Sequence, residues 1–175
     1  KEMAESFKIG HGLDPEKDFG PLISATQRKR VMSYIQSGID EGAELITGGE
    51  MVGDKGFFVK PTIFTQIHGD MKIAKEEIFG PVLCAQSFDN NDLETIAQQA
   101  NDTSYGLSGS VWTQDISVAH KMAMLINAGQ VSINWHAAVD PAIPFGGNKQ
   151  SGWGREFGKE GLEPYLKTKA TSVIF

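Results

Sequence analysis

The segment Lys75-Glu76-Glu77-Ile78-Phe79-Gly80-Pro81-Val82 sets two carboxylates, an aromatic ring and a Gly-Pro turn directly ahead of an apolar run, Val82 to Phe88. An ionised carboxylate only accepts hydrogen bonds. Held by a rigid turn at the mouth of a sheet, it suits two neighbouring hydroxyls, such as those of a ribose. An aromatic two residues further on can lie against a flat ring. The same residues also read as a charged surface corner before a strand, and the rest of the chain must decide between the two.

Other chemistry is poorly supported. His11, His68, His120 and His136 are far apart and lack metal-ligand spacing. Gly106-Leu107-Ser108-Gly109 brings its second glycine one residue too early for a nucleophile elbow. Gly152-Trp153-Gly154-Arg155-Glu156-Phe157-Gly158 has its last glycine one residue late for a dinucleotide fingerprint, and no strand directly precedes it. Gly147-Asn148-Lys149-Gln150-Ser151-Gly152 lacks the Gly-Lys-Ser/Thr ending of a phosphate loop. The lone Cys84 sits among Val82, Leu83 and Ala85 with no neighbour in sequence to lower its pKa, and reads as a buried structural thiol.

The elements that would position the acidic turn follow from capping and periodicity. Ser24-Ala25-Thr26-Gln27 is a capping box. Val31, Tyr34, Ile35, Gly38 and Ile39 then share one helical face, and Gly42 ends the helix. Glu44 to Thr47 reads as a strand closed by Gly48-Gly49. Phe57 to Ile67 is strand or extended chain, kept off a central position by Pro61. After the strand Val82 to Phe88, Asn91-Asp92-Leu93-Glu94 opens a helix with Leu93, Ile96, Ala97 and Ala100 inward. Ser108 to Thr113 is a strand; Asp115 opens a helix with Ile116, Ala119, Met122, Ala123 and Ile126 inward; Gln130 to Asn134 is a strand again.

Strands and helices alternating through short connections predict an α/β fold, a parallel sheet flanked by helices. Ligands of such sheets sit beyond the carboxyl ends of the strands. The long loop from Trp135 to Gly154, rich in Gly, Pro and aromatics, leaves one of those ends. The tail Tyr165 to Phe175 reads as extended.

Length and composition set bounds. The chain has 175 residues, begins at a lysine inside what reads as a helix, and is expected to be cut from something longer. A net charge of −6 argues against nucleic acid or an anionic membrane surface as main partner. No apolar run approaches the ~20 residues that span a bilayer. No signal peptide is visible, though one could precede Lys1. A single cysteine rules out an internal disulfide framework and fits a reducing, cytoplasmic setting. The sequon Asn101-Asp102-Thr103 reads as chance.

Four segments occur in order: Asp18-Phe19-Gly20-Pro21-Leu22-Ile23, then Glu76-Glu77-Ile78-Phe79-Gly80-Pro81-Val82, then Asn101-Asp102-Thr103-Ser104-Tyr105-Gly106-Leu107, then Pro144-Phe145-Gly146-Gly147-Asn148-Lys149-Gln150-Ser151-Gly152-Trp153-Gly154-Arg155-Glu156. Together the sequence resembles the C-terminal portion of the NAD(P)-dependent aldehyde dehydrogenases, over essentially the whole chain. The resemblance implies most of a catalytic domain over residues 1–164 and an oligomerisation strand over 165–175. It also implies a parent enzyme that oxidises an aldehyde through a cysteine thiolate, a hydride transfer to NAD or NADP and hydrolysis of a thioester. The family's nucleophile, its general-base glutamate and its dinucleotide-binding glycines lie N-terminal to the matched region, so the chain alone is expected to be inactive.

The resemblance also implies site residues. Glu77 matches the carboxylate that holds the nicotinamide ribose diol, and Phe79 the aromatic beside the nicotinamide. Gln27 and Arg30 match polar positions near that ribose; the competing readings are a capping glutamine and a solvated helix cation. Trp135 and Phe145 match the mouth of the aldehyde pocket and suit an apolar or aromatic aldehyde, or else pack under the loop. Glu156 matches a carboxylate implicated in proton relay, or else pairs with Arg155; Asn134 matches a structural position before the loop. The tail implies a homo-oligomer, with no metal, nucleic acid or membrane partner. Two rivals remain: a non-catalytic binding or assembly module of the same fold, and a reductase acting on acyl phosphates or acyl-CoA.

Overall fold

The computed structural model describes residues 1–88, 92–136 and 139–175. The chain folds as two units, residues 1–89 and 90–175. The first holds α1 (Glu2–Ser6), α2 (Ala25–Asp40), β1 (Glu44–Thr47), β2 (Met51–Val52), β3 (Phe58–Val59), β4 (Thr62–Thr65), α3 (Lys72–Lys75) and β5 (Val82–Cys84). Extended Ser24 caps α2, its hydroxyl accepting from the Gln27 backbone N–H at 3.1 Å. Val31, Tyr34, Ile35 and Gly38 form the buried stripe that the spacing predicts. Ile39 departs from that expectation and is exposed at the end of the helix. Gly42, at φ +94°, turns the chain out of the helix.

A three-stranded sheet runs β1-β4-β5, antiparallel at β1–β4 and parallel at β4–β5, with Leu45 opposite Phe64 and Ile63 opposite Leu83. Phe64 from the sheet, Val31 and Ile35 from α2, Ile73 from α3 and Ile78 from the turn before β5 share one core. Each large side chain buried there contributes about 1.5–3 kcal/mol. Contrary to the expectation from Pro61, β4 is the central strand. Pro61 stands just before it, so its missing N–H falls outside the ladder, and Thr62 N–H donates to Pro81 O at 2.8 Å.

The second unit holds α4 (Leu93–Asn101), β6 (Tyr105–Gly106), β7 (Ser108–Val111), α5 (Ile116–Leu125), β8 (Gln130–Ile133), β9 (Asn148–Lys149), α6 (Gly158–Leu162) and a 3-10 turn at Glu163–Tyr165. Asp115 caps α5 by accepting from the Ser117 and Val118 N–H groups, and Asp92 caps α4 through Glu94 N–H. Asn91, expected to open α4, lies outside the described residues. β7 and β8 are parallel neighbours joined through α5, a βαβ unit with Ser110 opposite Ser132. Ala119 and Met122 are the buried residues of α5. Ile116, expected inward, is 65% exposed. It sits in the first turn, beside a depression of about 330 Å³ beyond the carboxyl ends of β7 and β8.

The sheets are therefore mixed rather than purely parallel. Among the described residues β4–β5 and β7–β8 run parallel, whereas β1–β4, β2–β3 and β6–β9 are antiparallel. A link as short as that between β2 and β3 cannot make a parallel crossover, which needs a dozen or more residues. Residues 167–175 form no strand. A strand exists only through a ladder to a partner, and none pairs with this tail among the described residues. Val173, Ile174 and Phe175 are left exposed.

Candidate functional site

Four residues of α2 hold the acidic turn. Gln27, Arg30, Val31 and Tyr34 are spaced i, i+3, i+4 and i+7, so they lie on one face of the helix. The Gln27 side-chain amide donates to Phe79 O at 2.9 Å and to Ile78 O at 3.3 Å. Arg30 Nη2 donates to Glu77 O at 3.2 Å and to the Tyr34 hydroxyl at 3.3 Å. Tyr34 in turn donates to Glu76 Oε2 at 2.5 Å. Gly80 fits against Val31 so closely that a Cβ on it would stand 2.5 Å from Val31 Cγ2. Three successive carbonyls, which neither helix nor sheet serves, thus find donors on one helix face. That is what a part-buried turn requires.

The turn's own side chains alternate. Ile78 is buried in the core, while Phe79 is 74% exposed and adopts φ +56°, unusual for a bulky residue. The Glu77 carboxylate is exposed and makes no hydrogen bond or ion pair among the described residues. Glu77 and Phe79 line a depression of about 320 Å³ together with Ile73, Glu76, Gly80 and Cys84. An acceptor on a held backbone, unpartnered among the described residues and beside a projecting ring, suits the hydroxyls of a ribose diol and the face of a nicotinamide, so the residues present fit such a group.

The hydrogen bond to Glu76 raises the pKa of the Tyr34 phenol, with burial and the negative charge of Glu76 acting in the same direction and Arg30 opposing. The Arg30 guanidinium lies 5.4 Å from the Tyr34 ring centre and Lys72 Nζ 4.8 Å from it. Burial pushes the Cys84 thiol up, and Sγ bonds Ile73 O at 3.4 Å. That is the environment of a structural thiol, as the sequence context predicts.

In the second unit Asn134 ends β8 at φ +52°. Its side chain accepts from Thr113 N–H and donates to Thr113 O, both at 2.9 Å, clamping the ends of β7 and β8 together. Trp135 follows, 60% exposed. Ala137 and Ala138 of the same loop lie outside the described residues. Phe145 is half-buried and pairs through its backbone with Glu156 in a two-bond antiparallel bridge. The Glu156 side chain is exposed. Arg155 donates to the loop, to Gly147 O, Trp153 O, Gly154 O and Asn148 Oδ1. Arg155 thus organises the Gly146–Gly154 loop.

The sequence reading missed the Tyr34–Glu76 bond and a 2.8 Å contact between Ser110 Oγ and His136 Nδ1. The first had a signal: a hydroxyl on a buried stripe needs a partner, and Tyr34 is in helical phase with Gln27 and Arg30. The second joins residues 26 apart and had none.

Gly129 shows how closely the loop approaches β8. A Cβ there would overlap the Gly146 carbonyl oxygen, and one at Gly146 would overlap the Gly154 carbonyl oxygen, which accounts for glycine at both points. The sequence profile described as "Aldehyde dehydrogenase family" matches residues 1–171. The chain belongs to the aldehyde dehydrogenase family. It is 44% identical over 170 residues to "Aldehyde dehydrogenase, mitochondrial" of Leishmania tarentolae, covering 97% of this chain and 34% of that protein. Among solved structures, the NAD+ complex of an aldehyde dehydrogenase from Bacillus cereus superposes with a TM-score of 0.89 at 47% identity, over 95% of this chain and 33% of that one. A betaine aldehyde dehydrogenase from Staphylococcus aureus, also with NAD+, gives 0.89 at 38% identity, over 96% and 35%. The chain thus spans about a third of the length of the aldehyde dehydrogenases it matches. Among the described residues no helix is long and apolar enough to cross a membrane.

Proposed function

We propose that this chain forms the nicotinamide-ribose shelf of an enzyme that oxidises an aldehyde to a carboxylic acid with NAD or NADP. One observation carries the reading: among the described residues the Glu77 carboxylate has no partner, on a turn whose backbone is held by α2. When bound, the dinucleotide supplies the hydride acceptor. Glu77 accepts from the two ribose hydroxyls, Phe79 lies against the nicotinamide, and Gln27 and Arg30 complete the cofactor-binding set from the helix side. Trp135 and Phe145 line the mouth of an apolar or aromatic aldehyde pocket, and Glu156 takes part in proton relay.

The nucleophilic cysteine belongs to a longer polypeptide that carries this chain. Cys84 is unsuited to the role, because burial keeps it a thiol and it is bonded to Ile73 O. The 175-residue chain alone is therefore inactive. Residues 165–175, which pair with no strand among the described residues, would form the strand through which subunits of the parent associate, consistent with their exposed apolar end. A reducing compartment, the cytoplasm, suits a single unpaired cysteine.

In the parent protein, Glu77→Gln removes the charge that two hydroxyls would bond. Measured by NADH formation at saturating aldehyde, it is expected to raise KM for the dinucleotide and slow turnover about tenfold or more, because a misplaced ring loses alignment. Kinetics equal to wild type would remove Glu77 from the site.

A further inference from the structure

We infer that Tyr34 is a positioning residue for this site: its hydroxyl occupies Glu76, leaving Glu77 as the one carboxylate of the pair open to a ligand, and joins the turn to α2 through Arg30. The inference rests on the cofactor reading proposed above. Two adjacent carboxylates on one short turn would otherwise compete for the same hydroxyls and for the same cation. The structure separates them. Glu76 Oε2 takes the Tyr34 hydroxyl at 2.5 Å, whereas the Glu77 carboxylate has no partner among the described residues.

Arg30 makes this more than a satisfied core tyrosine. Its Nη2 bonds both the Tyr34 hydroxyl and Glu77 O. The Tyr34–Glu76 bond ties the turn to α2 one residue before Glu77, and the same hydroxyl anchors the Arg30 head that serves Glu77 O. Loss of either partner of that bond would let the turn shift at Glu76 and loosen the Arg30–Glu77 O contact at the residue that must accept from the ligand. Tyr34 itself is only 5% exposed, so losing either partner of its bond costs more than it would on an open surface. Lys72 stacks on the ring, which Phe would keep, whereas Arg30 stacks on it and also loses its bond to the hydroxyl.

The test uses the full-length protein that carries this chain, titrated with NADH by fluorescence without aldehyde, so that binding is read apart from turnover. Tyr34→Phe keeps the ring and the core. Glu76→Ala removes the same bond from the exposed side and serves if the first variant folds poorly. Glu76→Gln retains an acceptor oxygen and is the rescue. Both deletions are expected to weaken NADH binding about tenfold, the scale of a misplaced contact, with Glu76→Gln close to wild type. In parallel, amide hydrogen exchange of the segment 77–80, measured without ligand, should quicken in Tyr34→Phe and Glu76→Ala but not in Glu76→Gln. Unchanged NADH affinity in both deletions, alongside a weakened Glu77→Gln, would overturn the positioning role and leave the cofactor reading intact. Full affinity in Glu77→Gln would overturn the cofactor reading, and this inference with it. Unchanged exchange at 77–80 would overturn the positioning role by itself.

Discussion

Gly80→Ala tests how the turn is seated, and the structure supplies its magnitude. The added Cβ would stand 2.5 Å from Val31 Cγ2 and 3.0 Å from Cγ1. Val31 is fully buried in α2, and a β-branched residue in a helix has one favoured χ1, so its methyls cannot swing aside cheaply. Overpacking of this kind costs about 1–3 kcal/mol. The other escape is for the turn to back away from the helix. That stretches the Gln27–Phe79 bond beyond its 2.9 Å and forfeits about 1 kcal/mol plus part of the Ile78 burial. Both routes converge on about 2 kcal/mol. Val31→Ala alone should cost about 2 kcal/mol, from two lost methyls and the cavity they leave. Combined with Gly80→Ala it removes the clash, so the double variant should be at least about 1 kcal/mol more stable than the sum of the two. All three tryptophans, Trp112, Trp135 and Trp153, lie in the second unit, so tryptophan fluorescence does not report this change. The assay is hydrogen exchange of the α2 amides across a urea series, with far-UV circular dichroism as a second probe. Gly80→Ala within about 0.5 kcal/mol of wild type, or strict additivity in the double variant, would refute the idea that Val31 seats the turn.

Two further outcomes are expected. Asn134→Ala removes both bonds to the Thr113 backbone and leaves a less tolerant residue at φ +52°, so urea unfolding followed by tryptophan fluorescence should show a loss of about 1–3 kcal/mol; an unchanged midpoint counts against the clamp. Because burial raises the Cys84 pKa, iodoacetamide at mildly alkaline pH should label the native chain more slowly than the urea-unfolded one. By linkage the thiol stabilises the fold below its unfolded pKa, and that contribution disappears as pH rises through the folded value. The alkaline loss should be smaller in Cys84→Ala, and equal slopes would contradict it.

Legibility in the sequence followed the range of the interactions. The Ser24 cap, the stripe Val31-Tyr34-Ile35-Gly38 and the strand Glu44–Thr47 depend on neighbours a few residues apart, and they stand where the spacing puts them. Pro61 misled because the rule concerns the ladder, and the ladder begins one residue later. α3 has four residues, too few for any period to register, and β6 and β9 have two each. Ile116 was assigned inward by phase, but phase fixes a face and not whether another element reaches its end. The tail from 167 onward carries strand-like residues with no partner strand among the described residues. The acidic turn was legible as chemistry, yet its support was not, because Gln27 and Phe79 are 52 residues apart.

The pattern on α2 suggests how such support can be recognised. The apolar stripe begins at Val31, and Gln27 and Arg30 continue the same face towards the N-terminus with polar heads. Polar residues in phase with a buried stripe are costly unless something across from them needs donors. Here that something is a run of three carbonyls, Glu77 to Phe79, outside any helix or sheet ladder. Satisfying them from side chains of a rigid helix fixes the turn without engaging the Glu77 side chain. The Glu77 carboxylate could have been neutralised by one of the chain's lysines or arginines, as most surface acids can be. Instead its neighbour Glu76 takes the tyrosine, Arg30 reaches for the backbone, and the Glu77 carboxylate has no partner among the described residues. A carboxylate that is unpaired among the described residues, on a turn whose peptide groups are held, stays available to an outside donor, and an external pair of hydroxyls is the partner that the proposed cofactor would bring.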